Sequence, residues 1–221
     1  LEQYTSAPRL NRFLRAVGNS KVKAKRLYQI NLQVSQSFYP ILNLFEIFLR
    51  NAIDRQLKAY FEDDDWIITQ KTGFMNHPSL SSSRYSLKNS ITKAERTIRS
   101  QRNEISSPGV IAEQSFGFWT SLFDPHHYRL INGTIIHCFS CKPGHVNRST
   151  ISQKLNRIRK FRNRIYHNEP ICFFDTHIDF QNAEKVREEI FETTAWIDKE
   201  LLQYIRKHDS TNSKIKQVYR L

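Results

Sequence analysis

The sequence predicts an all-α protein, a helical bundle with additional helices and loop insertions, and three observations lead there. Apolar residues recur at helical spacing through four long stretches, near 37–61, 109–123, 149–168 and 180–207. No alternating apolar and polar run is long enough for a sheet, the one short candidate being Ile171-Cys172-Phe173-Phe174. Most prolines and glycines, such as Gly18, Gly73, Pro78, Pro125 and Pro170, fall between the periodic stretches, where they punctuate helices. The 221 residues suit one domain spanning 1–221, and 39% hydrophobic content is enough for a packed core.

Taken along the chain, Ser6-Ala7-Pro8 opens a first helix that stops at Gly18, and a second pattern runs from Ser20 into Tyr28-Gln29-Ile30. Residues 35–61 are the most apolar stretch. Pro40 is tolerated only near a helix start, which places that start near 37–39. Asp63-Asp64-Asp65 and the Gly73/Pro78 region break the pattern, and residues 86–102 read as a polar, charged helix. Pro108-Gly109 starts a helix from Val110 to Phe123, closed by Asp124-Pro125. Residues 126–147 read as short helices or loops. The stretch from Ser149 is strongly amphipathic and Pro170 fixes its end. Residues 180–207 read as one long final helix.

Charge and cysteine usage narrow the function classes. Lys and Arg number 34 against 21 Asp and Glu, a net charge of +13 that favours an anionic partner, with nucleic acid first. No run approaches about 18 apolar residues, so no membrane span is expected. Three Cys are too few for a disulfide scaffold. The opening Leu1-Glu2-Gln3-Tyr4 lacks Met and lacks the basic-then-apolar layout of a secretory signal, so a cytoplasmic protein is expected. There is no Gly-rich phosphate loop and no G-x-S-x-G elbow. His137, Cys138, Cys141 and His145 are metal-ligand types, but the paired blocks of zinc fingers are missing. They read as reduced, partly buried thiols beside histidines, with no metal expected. Cys172 reads as a core thiol, His126-His127 as a solvated loop, and the three Asp as a capping or solvated acidic loop.

Two helices carry polar residues that packing alone does not ask for. At about 100° per residue, Ile151, Leu155, Ile158, Phe161 and Ile165 share one face of the 149–168 helix. His167 points almost opposite, with Asn156, Lys160 and Asn163, while Arg162 lies at the edge of the apolar stripe and meets His167 only if the last turn loosens. On the 37–61 helix, Asn43, Glu46, Arg50 and Asp54 cluster on one side. Glu46 and Arg50 either pair along the helix or reach across to Arg162 and Asn163, since buried charges are costly unless paired.

The stretch Phe161-Arg162-Asn163-Arg164-Ile165-Tyr166-His167-Asn168-Glu169-Pro170-Ile171 holds R-N-x-x-x-H, and it resembles the signature of the HEPN superfamily and the ending of its Abi-like abortive-infection proteins. Leu44 to Ile53, with Glu46, Arg50 and Asn51, resembles that family's E-x-x-x-R-N helix. Val110 to Trp119 resembles its F-G-x-W segment, and Arg9 to Asn31 its opening. One position departs, in that Asn168 stands where many relatives carry a second His. The resemblance implies a HEPN-like bundle and a metal-independent endoribonuclease, often a toxin or phage-defence effector. RNA carries its own nucleophile, the 2′-OH beside the scissile phosphate. By that resemblance His167 is the general acid or base, Arg162 stabilises the phosphate, and Asn163 orients one of them. Glu46, Arg50 and Asn51 become supports. Two protomers joining their motifs imply a homodimer, and an antitoxin or activator protein is an expected partner. No cofactor is expected. Arg157, Arg159, Lys160 and Arg164 make the same helix a candidate RNA-backbone surface, with Arg148 and Lys154 nearby. Tyr166 either stacks on a base or packs at the core edge. Two other readings remain, a non-catalytic RNA-binding or sensor module and a helical interaction protein.

Overall fold

Apolar positions spaced for one helical face continue from Ala24 to Leu57 without a gap, and the chain obeys them as a single helix. The computed structural model describes residues 6–102 and 104–220. Leu1 to Tyr4, and the ends of the expected 1–221 domain, lie outside the described residues. Helix α1 covers Ala7–Ala16, followed by Gly18 and Asn19 at positive φ. Helix α2 covers Lys21–Phe61, capped by Ser20, whose hydroxyl accepts from the Lys23 amide. The expected start near 37–39 is therefore wrong, and Pro40 sits inside a 41-residue helix. Pro40 and Gln36 both face solvent. The Gln36 carbonyl, which Pro40 cannot serve, is open to water, and the ring stands clear of the packed face.

Short elements follow. Helix α3 is Trp66–Thr69, 3-10 turns cover Phe74–Asn76 and Pro78–Ser83, and α4 is Ser86–Ser100. The helix expected over 109–123 is two, α5 at Ser107–Ala112 and α6 at Phe116–Ser121. Gln114 explains the break. Its buried side chain donates to the Val110 carbonyl at 3.0 Å and accepts from Ser90 Oγ at 2.7 Å, tying the corner to α4, while extended Ser115 restarts the helix. Helix α7 is Pro125–Leu130, and a 3-10 turn covers Thr134–Cys138.

Helix α8 is Arg148–Tyr166. A two-residue hairpin follows, β1 at Phe173–Phe174 pairing antiparallel with β2 at His177–Ile178. The expected 180–207 helix also divides, into α9 at Gln181–Ile197 and α10 at Lys199–Arg206. Here Asp198 is extended and its carboxylate accepts from the Glu200 amide at 2.7 Å, so it caps α10. The last carbonyls of α9 are taken from outside, Trp196 by the Cys141 amide at 2.8 Å and Ile197 by the Ser140 hydroxyl at 3.1 Å. Helix α11 is Thr211–Ile215, with a 3-10 turn over Lys216–Arg220.

The protein is all-α apart from that hairpin, with α2 as the central mast. One hydrophobic core draws on residues from Phe13 to Ile215. Phe38 meets Phe161 edge-on at 4.8 Å and Phe45 meets Phe116 at 6.0 Å, which seats α8 and α6 against α2. This places the polar side of α2 beside the C-terminal half of α8. Among the described residues, no helix is long and apolar enough to cross a membrane.

Candidate nucleic-acid interface

Helix α8 starts where the Asn147 side chain accepts from the Thr150 amide at 3.1 Å. Ile151, Leu155, Ile158, Phe161 and Ile165 are buried, as their spacing predicts. The helix ends at Tyr166, with His167 as its C-cap and Asn168 at φ +55°. Asn is among the few side-chain-bearing residues at home in that left-handed conformation, which gives Asn168 a backbone reason of its own. The ending is then closed by amides of His167, Asn168 and Glu169 returning to the carbonyls of Asn163, Ile165 and Arg164 at 2.8–2.9 Å.

Arg162 turns toward α2. Its Nη2 lies 3.4 Å from Glu46 Oε2, and its guanidinium carbon stands 4.1 Å over the Tyr166 ring. Of the two pairings left open by the sequence, Glu46 takes the one across helices. Burial, the largest influence, raises the Glu46 pKa above 4.5 against the pull of Arg162 and Arg50. The Nε atoms of Arg50 and Arg162 are buried without a partner. The cluster thus holds two guanidiniums against one carboxylate, an excess of one positive charge.

Tyr166 packs at the edge of the core, against Tyr39 at 5.2 Å and beneath Arg162, and both tyrosines remain 41% exposed. Tyr39 is the residue sequence reasoning passed over. Its signal was its place on α2, seven residues before Glu46 and on the same side.

The remaining candidates divide. His167 and Asn163 are exposed, and among the described residues no side-chain hydrogen bond or ion pair joins either to the other or to Arg162. Asn51 faces solvent on α2. Asp54 belongs elsewhere, accepting from Trp66 Nε1 at 2.8 Å and pairing with Lys58 at 3.2 Å. Arg157 is ion-paired to buried Glu189 at 2.8 Å. Arg164 donates to the Pro170 carbonyl at 2.5 Å and lies 3.4 Å from Glu169. Lys160 is exposed and, with Ser152, Asn156 and Arg157, lines a cavity of about 340 Å³ on the outer side of α8. Arg159 instead faces α6, near Gly117.

The secondary readings also sort out. Cys138 is buried, with its thiol pKa pushed well up by burial, whereas Cys141 is exposed. Among the described residues these cysteines and His137 and His145 form no ligand cluster. Cys172 is buried in the core and its thiol is pushed up to about 12. Asp63 serves the start of α3, accepting from the Asp65 amide at 2.8 Å and Thr69 Oγ1 at 2.6 Å. The loop expected at His126-His127 is instead the first turn of α7, and His127 is buried, its ring held 2.8 Å from the Ser121 carbonyl. Burial lowers the His127 pKa from 6.5. No family model matches this chain, and no curated protein or solved structure matches it either.

Proposed function

We propose that the chain is a metal-independent endoribonuclease of phage-defence or toxin type, acting in the cytoplasm as a homodimer. The observation that carries this reading is the Arg162 cluster. A guanidinium held by Glu46 and stacked on Tyr166, which in turn meets Tyr39, sits five residues before the exposed His167 at the end of a basic helix. In the proposed reaction, an imidazole takes the proton of the 2′-OH, whose oxygen attacks the adjacent phosphorus. The 5′-oxygen leaves with a proton, giving a 2′,3′-cyclic phosphate and a 5′-OH. Arg162 neutralises charge gathering on the phosphate oxygens. Tyr39 and Tyr166 offer ring faces to an unpaired base. His167 acts as either acid or base in one chain, and a second copy supplies the other role across a shared cleft. An antitoxin or activator protein fits such an effector.

A cleavage assay on end-labelled RNA in EDTA tests this, comparing wild type with His167→Ala and Arg162→Ala. The wild type should leave cyclic-phosphate ends, and His167→Ala should lose about 10²-fold or more in rate. His167 is exposed and, among the described residues, its side chain makes no hydrogen bond, so its removal should leave the melting temperature in place. That same isolation favours a second reading, a non-catalytic RNA-binding or sensor module. Salt-dependent RNA binding by all three proteins, with no cutting by any of them, would establish it instead.

A further inference from the structure

Where α6 hands over to α7, three metal-ligating side chains converge outside the Arg162 cluster. Asp124, His126 and His127 each bring one ligand atom to within 4.8 Å of the others. We propose that these three residues form a site for a divalent transition-metal ion of the zinc class.

His127 makes the strongest argument. It is 1% exposed, and its Nδ1 lies 2.8 Å from the Ser121 carbonyl oxygen. A carbonyl only accepts, so Nδ1 carries the hydrogen and Nε2 carries a lone pair. That Nε2 is buried with no hydrogen-bond partner. A buried lone pair without a donor is costly, and a metal ion would satisfy it. A backbone carbonyl fixing the tautomer of a histidine in this way is the usual outer support of a metal ligand.

Asp124 adds a second observation. It stands at the N-cap position of α7, where an aspartate normally bonds a helix amide, yet its side chain makes no such bond. Among the described residues no hydrogen bond or ion pair holds the carboxylate, which leaves it open to a cation. His126 stands against His127 with ring centroids 4.2 Å apart. Two imidazoles and a carboxylate are the donor set of a borderline ion such as Zn²⁺. Tetrahedral ligands at 2.0–2.1 Å stand about 3.3 Å apart. The cluster is thus at most about 1.5 Å wider than a closed site, a difference that rotation of the half-buried Asp124 and His126 side chains can close. Asp124 also lines a cavity of about 360 Å³ with Ser115, Ser121 and Arg159, so the carboxylate side of the cluster is open to water. The site shares no residue with Glu46, Arg162 or His167 and does not depend on the ribonuclease reading.

The test uses the full chain without an affinity tag, stripped with a chelator and then titrated with Zn²⁺ by calorimetry. Co²⁺ serves as a coloured probe of nitrogen and oxygen coordination. The wild type should bind one ion per chain saturably and melt at a higher temperature when loaded. His126→Ala and Asp124→Asn should each weaken binding by at least about tenfold, while His145→Ala should bind like the wild type. If His126→Ala fails to fold, Asp124→Asn carries the comparison, because that carboxylate makes no bond to its helix. Equal Zn²⁺ binding by wild type and Asp124→Asn, or no saturable binding by the wild type, overturns the proposal.

Discussion

Glu46 and Asp209 are both carboxylates facing arginines, and their surroundings drive them in opposite directions. Burial is the largest influence on each and works to raise both pKa values. Asp209 overcomes it through hydrogen bonds from Arg187 Nε at 2.8 Å and the Thr211 amide at 3.0 Å, with the Arg187 Nη2 2.7 Å away, and ends below 3.8. Glu46 has a single contact at 3.4 Å and ends above 4.5. The pH signs follow from linkage. Asp209 contributes stability that is present above pH 3.8 and is lost as pH falls through its folded pKa. The Glu46 contribution is complete below pH 4.5 and is lost as pH rises through its folded pKa. At pH 7 its charged form is therefore one the fold would rather not hold. Glu46→Gln, which keeps the shape and removes the charge, should accordingly melt no lower than wild type at pH 7. In the proposed enzyme it should still cut RNA more slowly, by up to about a hundredfold, because Arg162 loses its anchor. A variant that melts lower and cuts normally would make Glu46 a stabilising ion-pair partner and nothing more.

Among the elements, α2 carries the clearest stored cost. Pro40 removes one hydrogen bond from the middle of a 41-residue helix, at a position where the chain is otherwise helical on both sides. Pro40→Ala should stabilise the protein by about 1–3 kcal/mol in urea unfolding; a loss of stability would mean that the ring makes packing contacts worth more than the bond. The same residue shows where the sequence stopped being legible. Both ends of α1 and the C-terminal end of α8 were readable, because Pro8, Gly18 and Pro170 act on their own neighbours in the chain. Pro40, Gln114 and Asp198 were not, because each outcome depends on distant groups. Pro40 survives because neighbouring turns pack α2 onto α8 and α9. The 109–123 helix breaks because Ser90 holds Gln114, and α9 stops because the 140–141 segment takes its last carbonyls. The site divides in the same way. Helical spacing put Glu46 and Arg50 on one side of α2 and His167 away from the core. Which partner Glu46 would take depended on how α8 seats against α2, set by ring contacts such as Phe38–Phe161.

Over the whole molecule, a net charge of +13 shows that an anion is favoured but not which cations meet it. Helix α8 carries seven of them, and the fold has already engaged most. Lys154 pairs with Glu192 and Arg157 with Glu189, Arg162 with Glu46, and Arg164 with Glu169, while Arg148 donates to the Phe123 carbonyl at 2.9 Å. Among the described residues only Arg159 and Lys160 of the seven have neither an ion pair nor a hydrogen bond, and Lys160 is the exposed one. The basic helix is thus two kinds of surface, one holding the bundle together and one without a partner in the fold, which the proposed RNA contact would use. Lys160→Ala should leave stability within about 0.5 kcal/mol. In single-stranded RNA binding, its slope of log K against log salt should shrink by about 0.7, the loss of one phosphate contact. Arg157→Ala should do the reverse. It strips the best partner from the 5%-exposed Glu189 carboxylate, leaving Lys154 at 3.9 Å, and should cost about 1–3 kcal/mol in urea unfolding while changing the salt slope little. Equal slope losses from both variants, with stability untouched, would mean that Arg157 leaves Glu189 in solution and that the whole helix face meets RNA.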